Sequence, residues 1–190
     1  MKCFVLAAVS LILYSIPFSA LDLQQKERDR LDRIEQTLKA DVPRLLCLTD
    51  SYATGGQPTE QAYSKLASNG FRSVLNLRTA TEGVDLEKER AAVEQSGMRY
   101  LSIPIVGSAP RAEQAEEFVR VVKEKANQPM LIHCGSGNRV GAFMMIYRVV
   151  EQGWREEDAL EEAVKIGLRS EDLKKFARDY IAQQKKAKSG

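Results

Sequence analysis

The sequence predicts an α/β domain built on a largely parallel sheet, and three features predict it. Helical patterns alternate with short apolar runs of strand length along most of the chain. A glycine follows four of the helical patterns, at Gly70, Gly97, Gly153 and Gly167, where a left-handed C-terminal residue is wanted. One buried-strand pattern, Pro129 to His133, runs straight through a glycine-containing loop into an apolar helix.

The first twenty residues stand apart from this rhythm. Lys2 supplies a positive start, Cys3 to Pro17 is an uncharged apolar run, and Phe18-Ser19-Ala20 has the form of a cleavage site. Residues 1–20 are therefore expected to be a secretory signal peptide, which implies a periplasmic or secreted protein. An uncleaved anchor is the lesser alternative, because a spanning helix needs about 20 apolar residues. Residues 21–43 form a helical extension: Leu31, Ile34 and Leu38 recur at helical spacing in a charged stretch from Leu23 to Lys39, and Pro43 ends it.

The main domain is expected over residues 44–184. Leu45–Leu48 is a first strand, and Gly55-Gly56-Gln57-Pro58 is a turn signal. Helices are expected over Thr59–Asn69, Asp85–Ser96, Arg111–Ala126, Asn138–Gln152, Glu156–Ile166 and Glu171–Gln184. Between them lie strands at Ser73–Leu77, Arg99–Ile103 and Met130–His133. Right-handed crossovers between parallel strands put helices on both faces of the sheet. A basic tail at residues 185–190, with Lys185, Lys186 and Lys188, reads as a solvated end.

Composition narrows the partners. With 44% hydrophobic and 28% charged residues, the chain can bury one ordinary core. Lys2 is the only charged residue of the leader, so without it the basic residues balance the acidic ones to within one charge. That balance argues against nucleic acid or a membrane surface as a general partner. Cys47 and Cys134 remain after the leader, and in an oxidising compartment a disulfide between them is one option. The other is that Cys47 is a small buried hydrophobe. His133 is the only histidine, so no cysteine–histidine metal cluster is available, and no cofactor is expected.

The chemistry concentrates in His133-Cys134-Gly135-Ser136-Gly137-Asn138-Arg139, between a strand end and a helix start. Amides of a tight loop together with a helix N-terminus make an anion site. The same positive field favours the thiolate of Cys134, the form that acts as nucleophile. Gly135 and Gly137 let the loop amides point inward. Arg139 offers a planar fork for two oxygens of a tetrahedral anion. Cys134 and Arg139 are the catalytic candidates, with His133, Gly135, Ser136, Gly137 and Asn138 forming a phosphate loop. His133 is expected to orient the loop through hydrogen bonds.

HCGSGNR resembles the signature of cysteine-dependent dual-specificity and tyrosine phosphatases. More narrowly, residues Leu45 to Ile181 are similar to the bacterial beta-lactamase-hydrolase-like group of phosphatase-like domains and their relatives fused to NAD kinase. The similarity includes Gly55-Gly56-Gln57-Pro58, the run Gly70 to Arg78, Tyr100 to Ile105, the cysteine loop and Gly153-Trp154. It implies a cysteine-phosphatase-like fold with about four mainly parallel strands wrapped by helices. It also implies hydrolysis of a phosphomonoester, on a protein or a small molecule, through a cysteinyl-phosphate.

Two departures keep alternatives open. Four residues, not the usual five, separate Cys134 from Arg139, a spacing shared by the bacterial group but also by rhodanese-like sulfurtransferases that carry a persulfide. The stretch after the third strand, Ile105 to Ala109, holds no carboxylate where such phosphatases place a general acid. Glu82, Asp85, Glu113 and Glu116 are the candidate substitutes, and Arg78 and Arg111 are candidate contacts at the loop mouth. A catalytically weak anion-binding module is the third reading.

Overall fold

The computed structural model describes residues 18–189. Most of the expected leader therefore lies outside the described residues, and Phe18 to Ala20 begin the first helix. The elements run α1 (Phe18–Leu38), β1 (Leu46–Thr49), β2 (Tyr52–Gly55), α2 (Glu60–Ser68), β3 (Ser73–Asn76), α3 (Leu86–Gln95), β4 (Arg99–Ser102), α4 (Ala112–Lys123), β5 (Met130–His133), α5 (Asn138–Val150), α6 (Glu156–Ile166) and α7 (Glu171–Ser189). Two single turns of 3-10 helix, at Ala80–Glu82 and Lys125–Asn127, complete the path. Among the described residues no helix is long and apolar enough to cross a membrane.

The sheet has five strands in the order β1-β2-β5-β3-β4, parallel except for β1. The expected count of about four missed β2, because Tyr52-Ala53-Thr54-Gly55 lacks a β-branched apolar run and its end reads as a turn. Gly55 is small for a packing reason. A Cβ on Gly55 would lie 2.6 Å from Val42 Cγ1, so the chain arriving from α1 closes directly over the strand. Position in the sheet, bonded to β1 on one side and β5 on the other, outweighs propensity.

Strand alternation divides the core in two. Ala53, Val74, Tyr100 and Leu131 face α1, α2 and α3, where Ile34, Leu38, Tyr63, Leu66 and Val93 are buried. Tyr52, Leu75, Met130 and Ile132 face α4 to α7. Helix α5 is buried along its length, from Val140 to Val149, between the sheet and the pair α6 and α7. That position explains why its sequence is apolar all round. The extension is tied to the domain as well: Ile34 and Leu38 enter the core, and the Glu35 carboxylate accepts the Cys47 amide at 2.5 Å. At the other end α7 continues to Ser189, so Lys185 and Lys186 of the expected tail are helical.

Candidate active site

β5 delivers His133 and Cys134 to the C-terminal edge of the sheet, where ligands of open parallel sheets bind. Cys134 is only 1% exposed. The chain then curls through Gly135 and Ser136, which pairs with Gly56 on the neighbouring loop. Gly137 takes a left-handed conformation (φ 84°) and its amide donates to Cys134 Sγ at 3.2 Å. Only glycine fits there, because a Cβ would collide with the Ile166 carbonyl oxygen. Helix α5 begins at the next residue, so its first amides and its positive end face the sulfur's loop.

Arg139, in the first turn of α5, returns over the loop. Its two terminal nitrogens each donate to one oxygen of Glu82 at 2.6 Å, and Nη1 also reaches the carbonyls of Ile105 (2.7 Å) and Leu77 (3.2 Å). None of these bonds uses Nε. Burial works against the Arg139 charge, but Glu82 and the nearby Cys134 sulfur outweigh it, and the net shift is upward.

Glu82 is one of the acids the sequence offered as a proton donor, and its surroundings give it another task. Hydrogen bonds from Arg139 hold its carboxyl down to about 2 against the opposing effect of burial, helped by the Thr79 amide and by Arg78. A group held that firmly as an anion is a poor donor near neutral pH. Arg78 stands behind it, bonding Glu82 through Nε (3.1 Å) and Gln57 through Nη1 (2.8 Å). Asp85 caps α3 by accepting the Lys88 amide, and Glu113 lies 3.9 Å from Arg111 at the start of α4. Neither Asp85, Glu113, Glu116 nor Arg111 lines the cleft above the loop.

The His133 side chain points away from the loop, toward α3. Its Nε2 lies 3.0 Å from Glu89 Oε1, outside the alignment of a linear hydrogen bond, and Nδ1 has no partner among the described residues. Sequence reasoning expected direct bonding to the loop, but alternation along β5 turns residue 133 to the opposite face from Ile132. Glu89, 7% exposed, is the hub there: it accepts from Tyr63 Oη (2.6 Å), Asn76 Nδ2 (2.5 Å) and Gln57 Nε2 (3.1 Å). Desolvation raises its pKa, yet His133 and these donors more than reverse that, so it stays below the usual carboxylate range. The sequence did carry a trace of it, since Glu89 shares a helix face with buried Val93 four residues on.

Asn138 faces the turn between α6 and α7. Its Oδ1 accepts the amides of Arg169 (2.9 Å) and Ser170 (3.2 Å). The cleft over the loop, about 410 Å³, has Ser136, Asn138 and Arg139 along the cysteine loop, and Glu82, Gly107 and Asp172 among its walls. Cys47 lies elsewhere, on β1, among the residues packed on the α1–α3 side. Cys47 and Cys134 are both free. The disulfide considered from sequence would have to join residues packed on opposite faces of the sheet.

Comparison with known proteins places this geometry. A family model described as "DSP-PTPase phosphatase fused to NAD+ Kinase" matches residues 46–188. The chain is 28% identical over 123 residues to a beta-lactamase hydrolase-like protein of Xylella fastidiosa, covering 62% of this chain and 28% of that protein. It is 35% identical over 99 residues to the dual specificity protein phosphatase TpbA of Pseudomonas aeruginosa, covering 50% of this chain and 44% of TpbA. The chain thus spans less than half the length of these curated relatives. Among solved structures, a DUF442 phosphatase-family protein from Shewanella putrefaciens superimposes with TM-score 0.66 at 22% identity, over 78% of this chain and 97% of that one. A TpbA cysteine-to-serine variant in complex with phosphotyrosine gives TM-score 0.58 at 25% identity, over 73% and 82%.

Proposed function

The chain belongs to the dual-specificity-type phosphatase family described by its fusion to NAD+ kinase, and from that premise we propose that it is a cysteine-dependent phosphatase acting on a phosphomonoester. The observation that carries this reading is the sulfur of Cys134 seated inside its own loop. It accepts the Gly137 amide at 3.2 Å, with the Arg139 guanidinium brought over it by Glu82.

In this reading the Cys134 thiolate attacks phosphorus, and the ester oxygen leaves. The loop amides and the positive end of α5 receive the phosphoryl oxygens, whose charge rises in the transition state. Arg139 presents its Nε edge to two of them, while its other side stays fixed on Glu82. Water then cleaves the cysteinyl-phosphate and restores the thiolate. His133, Gly135, Ser136, Gly137 and Asn138 serve by shape: they set the base of the loop, its bend and its attachment to the rest of the fold.

The substrate is a phosphorylated protein or small molecule, and an aryl phosphate such as phosphotyrosine is the first choice, because a relative of the same fold is seen in complex with it. The leader at residues 1–20 supports a periplasmic or secreted site of action. The division into leader, extension, catalytic domain (44–184) and tail belongs to the same proposal.

The test is turnover of p-nitrophenyl phosphate by purified, reduced protein. The reading predicts turnover that Cys134→Ser abolishes and that Arg139→Ala lowers by about 100-fold or more. No turnover by folded, reduced protein contradicts it. Thiosulfate-to-cyanide transfer by the same preparation would instead point to sulfur chemistry.

A further inference from the structure

The family's usual position for a proton donor, the segment after β4, holds Val106, Gly107 and Ser108 in this cleft and no acid. Among the described residues, two carboxylates line the cleft: Glu82 and Asp172. Glu82 is taken, since both its oxygens bond Arg139 and it also receives Arg78 and Thr79. Asp172 is exposed and its carboxylate makes no hydrogen bond or ion pair among the described residues.

We propose that Asp172 is the general acid that protonates the leaving oxygen, an assignment that rests on the phosphatase reading. Its placement relative to the loop is built into the fold. Asn138, the residue before Arg139, accepts the amides of Arg169 and Ser170. Ser170 Oγ in turn accepts the Leu173 amide at 3.3 Å and closes the first turn of α7 around Asp172. The same turn touches the loop at Gly137, where the Ile166 carbonyl leaves no room for a side chain. Asp172 is therefore carried on a segment fastened to the phosphate loop itself, and the small residues Gly107 and Ser108 line the same cleft. An acid in the first turn of a helix is often only a favourable partner for the helix dipole. What sets Asp172 apart is that it shares a cleft with Arg139 and Ser136.

The step balances as follows. The Cys134 thiolate forms the S–P bond as the P–O bond to the leaving group breaks. The Asp172 carboxyl gives its proton to that oxygen, releasing an alcohol or phenol and leaving a carboxylate. Water then attacks phosphorus, passes a proton to the Asp172 carboxylate, and the S–P bond breaks to return the thiolate and free inorganic phosphate.

The experiment compares parent and Asp172→Asn on two esters, p-nitrophenyl phosphate, whose leaving group departs without a proton, and phenyl phosphate, whose leaving group needs one. The expected result is a loss of about 100-fold in kcat/KM on phenyl phosphate with a change within about threefold in kcat/KM on p-nitrophenyl phosphate, because kcat/KM reports the step in which the ester oxygen leaves and not the later hydrolysis that both esters share. An equal loss on both esters, or no loss on either, overturns the assignment while leaving the phosphatase reading intact. A parent inactive on both esters overturns the phosphatase reading, and the assignment falls with it.

Discussion

Glu82 receives both terminal nitrogens of Arg139 at 2.6 Å, and its side chain is 27% exposed, so the pair is only partly screened by water. Its folded pKa of about 2 lies below the ordinary glutamate value of 4.5. A depressed carboxyl stabilises the fold above its unfolded value, and that contribution is lost as pH falls toward the folded value. The difference corresponds to on the order of 3 kcal/mol. Urea denaturation of parent and Glu82→Gln should show a gap of that order at about pH 6, shrinking by more than half by about pH 3. A gap unchanged with pH would mean that the ion pair is not what holds Arg139. The sequence offered Glu82 as a proton donor because it sits near Arg78. It could not show that Arg139, 57 residues on, folds back to claim the carboxylate.

The elements explain which parts of the site were legible. The path from β5 through the loop to α5 was readable because one local pattern encodes it: a buried strand, two glycines and an apolar helix. The turn between α6 and α7 was readable as a turn but not as a wall of the cleft, since the Asn138 side chain and the close approach at Gly137 and Gly141 bring it there. Strand β2 was hidden for a related reason, its last residue, Gly55, being set by Val42 lying over it. The glycines give a test of how tightly α5 and α6 lock. Gly137 and Gly153 both have positive φ, 84° and 68°, but a Cβ meets the Ile166 carbonyl at the first and nothing within 4 Å at the second. Gly153→Ala should cost about 1 kcal/mol from backbone strain alone. Gly137→Ala should cost at least about 2 kcal/mol more, from overpacking against fixed backbone. Equal costs in chemical denaturation would show that the α6–α7 turn yields, and with it the platform under Asp172.

At the scale of the whole molecule, the sheet separates two kinds of work. One face packs α4 to α7 against a hydrophobic core that carries the helix behind the loop. The other holds the polar group centred on Glu89, with His133, Asn76, Tyr63 and Gln57, directly beneath the strand end that bears Cys134. Cys47 sits on that second side with its thiol pushed up to about 12, mainly by burial, which leaves it a weak nucleophile. The α/β class, the helix positions and the two-faced packing followed from periodicity and terminal glycines. The Glu89 group did not, because it joins residues from the segment before α2 and from α2, β3, α3 and β5, which only the finished sheet brings together.

The most direct test of the proposed chemistry is to trap the intermediate. Protein mixed with an excess of p-nitrophenyl phosphate, quenched in acid and analysed by mass spectrometry should carry one phosphoryl group, located on the peptide containing Cys134. The group should be absent from Cys134→Ser. Turnover without any phosphorylated Cys134 peptide, or with the phosphoryl group on another residue, would contradict the account.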